Sequence, residues 1–503
     1  MSRPSSHYLF RLIKSLTKNE KGYIKKMSSM NGEKTSHFIR LFDAIDGQET
    51  YDDEALMRSK AYGNNLPRLK NYLQERILAA LGQYHSSRSI DMQLRNMLNQ
   101  VTILFSKGFY DRCRAELLRT RELCREHEKF FLLLEVLEWE RTLVIDKLLV
   151  RDLDRIRQEE HDVLKLIADL SFYKDAYDKI AALYTRVFTV RTPAEEEQYL
   201  SVIRTVQSRE RATSFQARVL RCKSLAKYHA AMDDRVEYLG VAQEVVDLYE
   251  ANEVFIRQDI RGYVRVLNNL ITTLAENKEY ERFDAALKKL EDLPGKYSSA
   301  DNANLKDIIG IRILLRKFYR HFDNAEFDEG IRLIPVVQEQ LGRHSNHVSR
   351  THLYIFLYSI SYLFFIDGKY DQALAQINVI LNDEINGETI AYVCYAKILF
   401  LVIHYELGNE DLLEYSLVSV KKFLEKNARL YEPEKIVIDL LRKKLLRGDE
   451  ETGMFRGMYA SLEQTRDMIF RRSYEYFDLL AWAQSKAEGT SFRELLARRI
   501  RRE

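Results

Sequence analysis

The sequence predicts an all-α fold: an α-solenoid of stacked antiparallel helix hairpins, preceded by a small N-terminal helical domain. Three observations lead there. A helical apolar stretch, a short break and a second helical stretch recur, most clearly in Tyr362-Leu-Phe-Phe-Ile-Asp-Gly368-Lys-Tyr370-Asp-Gln-Ala373-Leu. From Ala325 to Gly368 to Gly408 the breaks lie roughly forty residues apart, in the period range of solenoids. Only 6 prolines and 19 glycines occur in 503 residues, which suits long helices because both residues are costly in helix interiors.

Residues 1–88 read as a basic helical domain, 89–450 as the repeat array of about nine hairpins, and 451–503 as a C-terminal hairpin with a capping helix. In the first of these, Thr17-Lys-Asn-Glu20 is a capping box, so one helix ends near Ser15 and the next begins at Lys18. Phe38, Leu41, Phe42 and Ile45 give helical spacing over Thr35 to Ile45. An acidic turn, Asp43 to Glu54, leads into a short helix near Glu54 to Lys60. Pro67 then sits in the first turn of a strong amphipathic helix, where its missing N–H costs nothing. The stripe of that helix is Leu66, Leu69, Leu73, Ile77 and Leu81.

Beyond Ser89, breaks are expected near Gly108, Val150, Arg191, Asp233, Lys278, Ala325, Gly368, Gly408 and Gly448, with helices of similar length between them. Thr192-Pro-Ala-Glu195 is a second capping box, and Pro433 also marks a helix start. Pro294-Gly295 reads as a helix stop, and Pro335 as a kink or boundary.

The copy around Gly368 resembles a tetratricopeptide repeat. Leu357, Ile360, Ser361 and Phe364 fall at its first-helix packing positions, Gly368 and Tyr370 at its turn, and Ala373, Ile377 and Ile380 on its second helix. Leu267, Leu270, Leu274 and Tyr280 stand in the same places around Lys278. The resemblance implies that the other first-helix positions line a concave binding face. Those positions are Ile355, Tyr358, Tyr362 and Phe365 in one copy, Tyr395, Ile398 and Tyr405 in the next, and Arg265, Asn268 and Thr272 near Lys278. Aromatic residues there suit a partner helix or peptide, and the polar trio suits a carboxylate or a backbone.

Composition narrows the function. Hydrophobic residues make up 46% and charged residues 30%, with a net charge of +3, so the chain as a whole is not a polyanion binder. The charge is uneven, about +6 over residues 1–95 and about −3 beyond. Lys14, Lys18, Lys21 and Lys25 would form a stripe on one helix, although the capping box splits it. Lys26, Arg68, Lys70 and Arg76 extend it into a possible phosphate-contacting surface.

Cys113, Cys124, Cys222 and Cys394 form no CxxC pair, which points to reduced, buried thiols. There is no signal-peptide core before Lys14 and no apolar run of about eighteen residues, so a cytoplasmic protein without a membrane span is expected. No phosphate-loop, dinucleotide, nucleophile-elbow or zinc-protease motif occurs. His344 and His347, or His161 beside Glu159, Glu160 and Asp162, give little reason to expect a metal. The expectation is therefore a non-enzymatic scaffold or adaptor for a protein or peptide, with no cofactor, metal or catalytic residue. The alternative is a regulator whose residues 1–88 bind nucleic acid while its repeats sense a partner. The C-terminal Phe492-Arg-Glu-Leu-Leu-Ala-Arg-Arg-Ile-Arg-Arg-Glu503 reads as an amphipathic helix capping the array.

Overall fold

A computed structural model describes residues 4–30, 37–58, 62, 65–85, 89–146, 150–187, 189–209, 212–297, 305–343, 350–383, 389–447, 451–465 and 477–502. The fold is all-α, and no strand occurs among the described residues. Successive helices pack in pairs. The chain divides into two compact units, Met1–Ile167 and Ala168–Glu503.

The first unit begins with α1 (Pro4–Ser15), α2 (Lys18–Met30), α3 (His37–Asp46), α4 (Asp53–Arg58) and α5 (Leu66–His85). The Thr17 box forms as expected: the Thr17 N–H donates to Glu20 at 2.7 Å, and the Glu20 N–H donates to the Thr17 hydroxyl at 3.3 Å. Leu9, Ile13, Leu41, Phe42, Leu73 and Ile77 close one core among these helices. There follow α6 (Ile90–Ser106), α7 (Tyr110–Glu126), α8 (Phe130–Asp146) and α9 (Val150–Arg186), within which the division between units falls. At 37 residues α9 breaks the expectation of near-equal helices.

The second unit continues with α10 (Pro193–Gln207), α11 (Phe215–Ala231), α12 (Arg235–Glu250), α13 (Glu253–Gln258), α14 (Ile260–Glu276) and α15 (Tyr280–Tyr297). Next come α16 (Leu305–Asp323), α17 (Phe327–Arg343), α18 (Arg350–Ile366), α19 (Tyr370–Leu381) and α20 (Ile390–Glu406). The last are α21 (Glu410–Lys426), α22 (Glu432–Arg447), α23 (Glu451–Gln464), α24 (Leu479–Glu488) and α25 (Phe492–Arg502).

One turn geometry recurs. At Gly368 the residue is left-handed, with φ +71°. Its N–H donates to Phe365 O, and the Lys369 N–H donates to Phe364 O. This two-bond cap satisfies carbonyls that the ended helix leaves open. The same pair of bonds forms around Gly108, Asp233, Lys278, Ala325 and Gly408, all expected breaks. It also forms around Glu128 and Ala428, which are not among the expected breaks. Between α18 and α19 the fully buried Ser361 donates its hydroxyl to Ala373 O at 2.9 Å, so small residues bring these helices together.

Two proline expectations need correction. Helix α15 runs through Pro294 to Tyr297, because a proline in the last turn forfeits only one backbone bond. Helix α17 continues through Pro335, so of the kink or boundary expected there it is the boundary that is not met. The break near Gly448 lies outside the described residues, as do His344 and His347.

Within the second unit the chain returns on itself. Arg191 pairs with Glu434 at 2.9 Å, and its guanidinium lies 4.1 Å from the centre of the Tyr431 ring. Tyr431 donates to Glu195 at 3.1 Å, and Arg429 donates to the Arg186 carbonyl at 2.9 Å. The start of α10 is thereby tied to the connection from α21 to α22.

Candidate functional site

Helices α11, α14 and α16 carry five cations that form no ion pair among the described residues. Each helix owes its placement to an apolar face: Val219, Cys222 and Leu225 on α11, Leu267, Leu270 and Leu274 on α14, and Ile311, Leu315 and Phe318 on α16. Asp259 starts α14 by accepting the Gly262 N–H at 2.8 Å. Away from these faces stand Lys223 and Lys227 one turn apart on α11, Arg265 on α14, and Arg312 and Arg316 one turn apart on α16. Like charges at this spacing repel.

Arg265 links the three helices. It adds to the burial that lowers the Lys223 pKa, with only Asp259 opposing. It also acts on Arg312, whose pKa is brought down to about 10 by burial first and then by Arg316 and Arg265. Burial alone lowers Lys227. None of these five cations forms an ion pair among the described residues. Lys227 instead lies 4.5 Å from the ring centre of Tyr184 and 6.0 Å from that of Tyr177. Tyr177 also feels Arg265, which opposes the upward push that burial gives its hydroxyl. Arg316 sits 5.4 Å from the Tyr319 ring.

Two buried polar atoms on these helices have no hydrogen-bond partner among the described residues: Nε of Arg316 and Oδ1 of Asn268. Asn268 is only 4% exposed. An orphaned buried polar group costs about 1–3 kcal/mol, so the site holds both unneutralised charge and unmet hydrogen-bonding capacity.

The anticipated site residues divide. Arg265, Asn268 and Thr272 fall together on α14, with Arg265 exposed and Thr272 half-buried, its hydroxyl donating to Asn268 O at 2.8 Å. Tyr358, Tyr362 and Phe365 do not face an open groove. They are buried, and the hydroxyls of Tyr358 and Tyr362 accept from the Phe477 and Asp478 N–H groups, each at 3.0 Å. Phe477 and Phe492 pack on the Phe365 ring. The chain's own C-terminal segment therefore occupies that face. Tyr405 is half-buried and donates to Glu451, and Tyr395 is half-buried beside Tyr358 and Arg191. Lys223, Lys227, Arg312 and Arg316 were not anticipated, though their like-charged pairs one turn apart were a usable signal.

In the first unit three of the eight anticipated basic residues pair with acidic side chains between Asp43 and Asp53. Lys21 pairs with Asp46 and Lys25 with Asp43, each at 2.6 Å. Lys14 donates to the Asp46 carbonyl, and buried Lys70 pairs with Asp53 and donates to the Tyr51 hydroxyl. Lys18, Lys26 and Arg68 are exposed, and Arg76 is half-buried. His161 lies on α9, and no group of three or more metal-ligating side chains stands together among the described residues.

All four cysteines are buried and free. No helix among the described residues is long and apolar enough to cross a membrane. No protein-family model, curated protein or solved structure matches the chain.

Proposed function

We propose that the chain is a non-enzymatic adaptor of the cytoplasm, built as a tetratricopeptide-like solenoid. It binds an anionic segment of a protein or peptide on the face carried by α11, α14 and α16. Support for the repeat comes from the shared two-bond turn, which returns at Asp233, Lys278, Ala325, Gly368 and Gly408, roughly every forty to forty-seven residues, a spacing typical of helical arrays. Support for the ligand's charge rests on one observation: half-buried Lys223, Lys227, Arg312 and Arg316 and exposed Arg265, on α11, α14 and α16, have no ion pair among the described residues. Water-depleted cations without acids are unfavourable until an anion arrives.

The test is a peptide array of acidic, neutral and basic segments probed with the full chain and with its Lys223→Gln/Lys227→Gln/Arg312→Gln variant, helicity being checked by circular dichroism. Retention of acidic peptides by the parent and its loss in the variant is the expected result. Equal retention by both proteins would place binding elsewhere. The regulator alternative loses Lys21, Lys25 and Lys70, which pair with Asp46, Asp43 and Asp53.

A further inference from the structure

We infer that the exposed face of α21 is a self-association surface: a second copy of the chain docks the same face of its own α21 there, antiparallel and about a two-fold axis. This goes beyond the adaptor reading and stands apart from it.

Helix α21 is held to its neighbours by one side. Leu413, Leu417, Val420 and Leu424 are buried there, in the same core as Val402 of α20 and Val437 of α22. On the other side the helix shows water an apolar stripe. Tyr415 is 79% exposed, the most of any large hydrophobic among the described residues, with Val418 at 52% and Leu412 at 46%. Each stands three residues from the next, and residues at that spacing are neighbours on a helix surface.

The charges at the two ends of the stripe say what covers it. Glu410, Asp411 and Glu414 stand toward the start of α21, and Lys421, Lys422 and Lys426 toward its end, with Glu425 among them. Neither Asp411 nor Lys422 forms an ion pair among the described residues. Within one helix they cannot meet, because the intervening rise holds them about 16 Å apart along the axis. That separation is also close to three full turns, so both project from the face that carries Tyr415 and Val418. The helix dipole favours acid at the start and base at the end. It asks nothing of the middle turns, where Tyr415 and Val418 meet water.

Reversing the helix makes this pattern its own complement. Asp411 and Lys422 are equidistant from the point between Ser416 and Leu417, and so are Tyr415 and Val418. A two-fold axis at that point sets Asp411 of each copy opposite Lys422 of the other. It sets Tyr415 of each opposite Val418 of the other. An isologous contact makes every interaction twice, so two ion pairs flank two contacts of a ring with an aliphatic side chain. Parallel pairing of the same faces brings Asp411 to Asp411 and Lys422 to Lys422, which repel. One pair of helices buries little area, so the dimer is a concentration-dependent one.

The experiment is sedimentation equilibrium of the full chain at low salt over about 1 to 200 μM, a range suited to small interfaces. The parent should pass from monomer to dimer as concentration rises. Lys422→Glu sets acid against acid and should raise the dissociation constant about tenfold or more, as should Asp411→Lys. The double variant Asp411→Lys/Lys422→Glu restores opposite signs in both pairs and should return the constant to within about threefold of the parent. Tyr415→Ser should also weaken the dimer about tenfold. All three positions are exposed, and circular dichroism checks that each variant keeps its helicity. A parent that stays monomeric throughout would overturn the inference and leave the stripe to a different protein. A dimer untouched by Lys422→Glu or by Tyr415→Ser would place the contact elsewhere. Single variants that weaken the dimer without recovery in the double variant would refute the antiparallel pairing.

Discussion

Replacing Arg312 by glutamine should make the protein more stable. Its guanidinium is brought from an ordinary 12.5 to about 10 by burial and by its neighbours Arg316 and Arg265. At 1.36 kcal/mol per tenfold change in proton affinity, that corresponds to an unfavourable interaction on the order of 3 kcal/mol in the charged state. The side chain is half-buried, so water and salt screen part of this, and truncation also forfeits packing of its aliphatic stem. A net gain of about 1–2 kcal/mol remains, or roughly 2–4 °C in thermal midpoint for a large cooperative unit.

The sign with pH is fixed. A base with a depressed folded pKa destabilises fully below that value, and the penalty is relieved as pH rises from about 10 toward 12.5. The gain of Arg312→Gln should therefore be flat between pH 6 and 9, about the neutral range in which Arg312 is charged in both states. It should shrink in 0.5 M salt, where screening acts over about 4 Å. Differential scanning calorimetry at low and high salt measures it, with Arg312→Lys as the charge-retaining control. A midpoint that falls at low salt would mean that Arg312 has a stabilising partner, and the unbalanced-charge argument would be wrong.

Three further outcomes are expected. Glu434→Gln takes the paired carboxylate from the buried Arg191, whose side chain is 5% exposed, and should cost about 3–5 kcal/mol in urea unfolding, while Arg191→Met with Glu434→Leu should recover most of it. Ala428→Gly relieves a left-handed alanine at φ 53° and should add about 1 kcal/mol in the same assay. Burial raises the pKa values of Cys124 and Cys222 to about 12 and of Cys394 to about 11, so native protein at pH 8 should resist iodoacetamide, with four thiols alkylated only after denaturation, as intact-mass spectrometry would show.

What could be read from the sequence followed local rules. Gly108, Gly368 and Gly408 marked breaks because a left-handed residue is cheapest there without a Cβ. Glu128 and Ala428 adopt the same geometry at a cost, so nothing in their identity announced them. Pro294 misled because a proline stops a helix only when turns remain beyond it, and α15 ends three residues later. On the proposed binding face, Arg265, Asn268 and Thr272 share one helix and were anticipated from the period. Lys223 and Arg312 belong to helices far apart in sequence, and only folding brings both under the influence of Arg265.

The tyrosines of α18 were judged by their own helix, but their partners at Phe477 and Asp478 lie more than a hundred residues later. That contrast carries a physical argument about function. Two helix faces in one unit have met opposite fates. On α18 the chain has covered its aromatic surface and satisfied the tyrosine hydroxyls with backbone N–H groups. On α11, α14 and α16 it has left five cations without an ion pair among the described residues, and the buried Asn268 Oδ1 without a donor. A single acidic side chain in place of Asn268 would relieve much of that strain, since a carboxylate beside Arg265 would favour the charged forms of its neighbours. A fold selected for stability alone gains nothing from keeping an amide there. A fold that must admit an anion and release it does gain, because an internal carboxylate would compete for the same cations. Asn268→Asp should accordingly raise the thermal midpoint and abolish anion binding together, and a variant that gained stability while still binding would break this link between the vacant charge and the ligand.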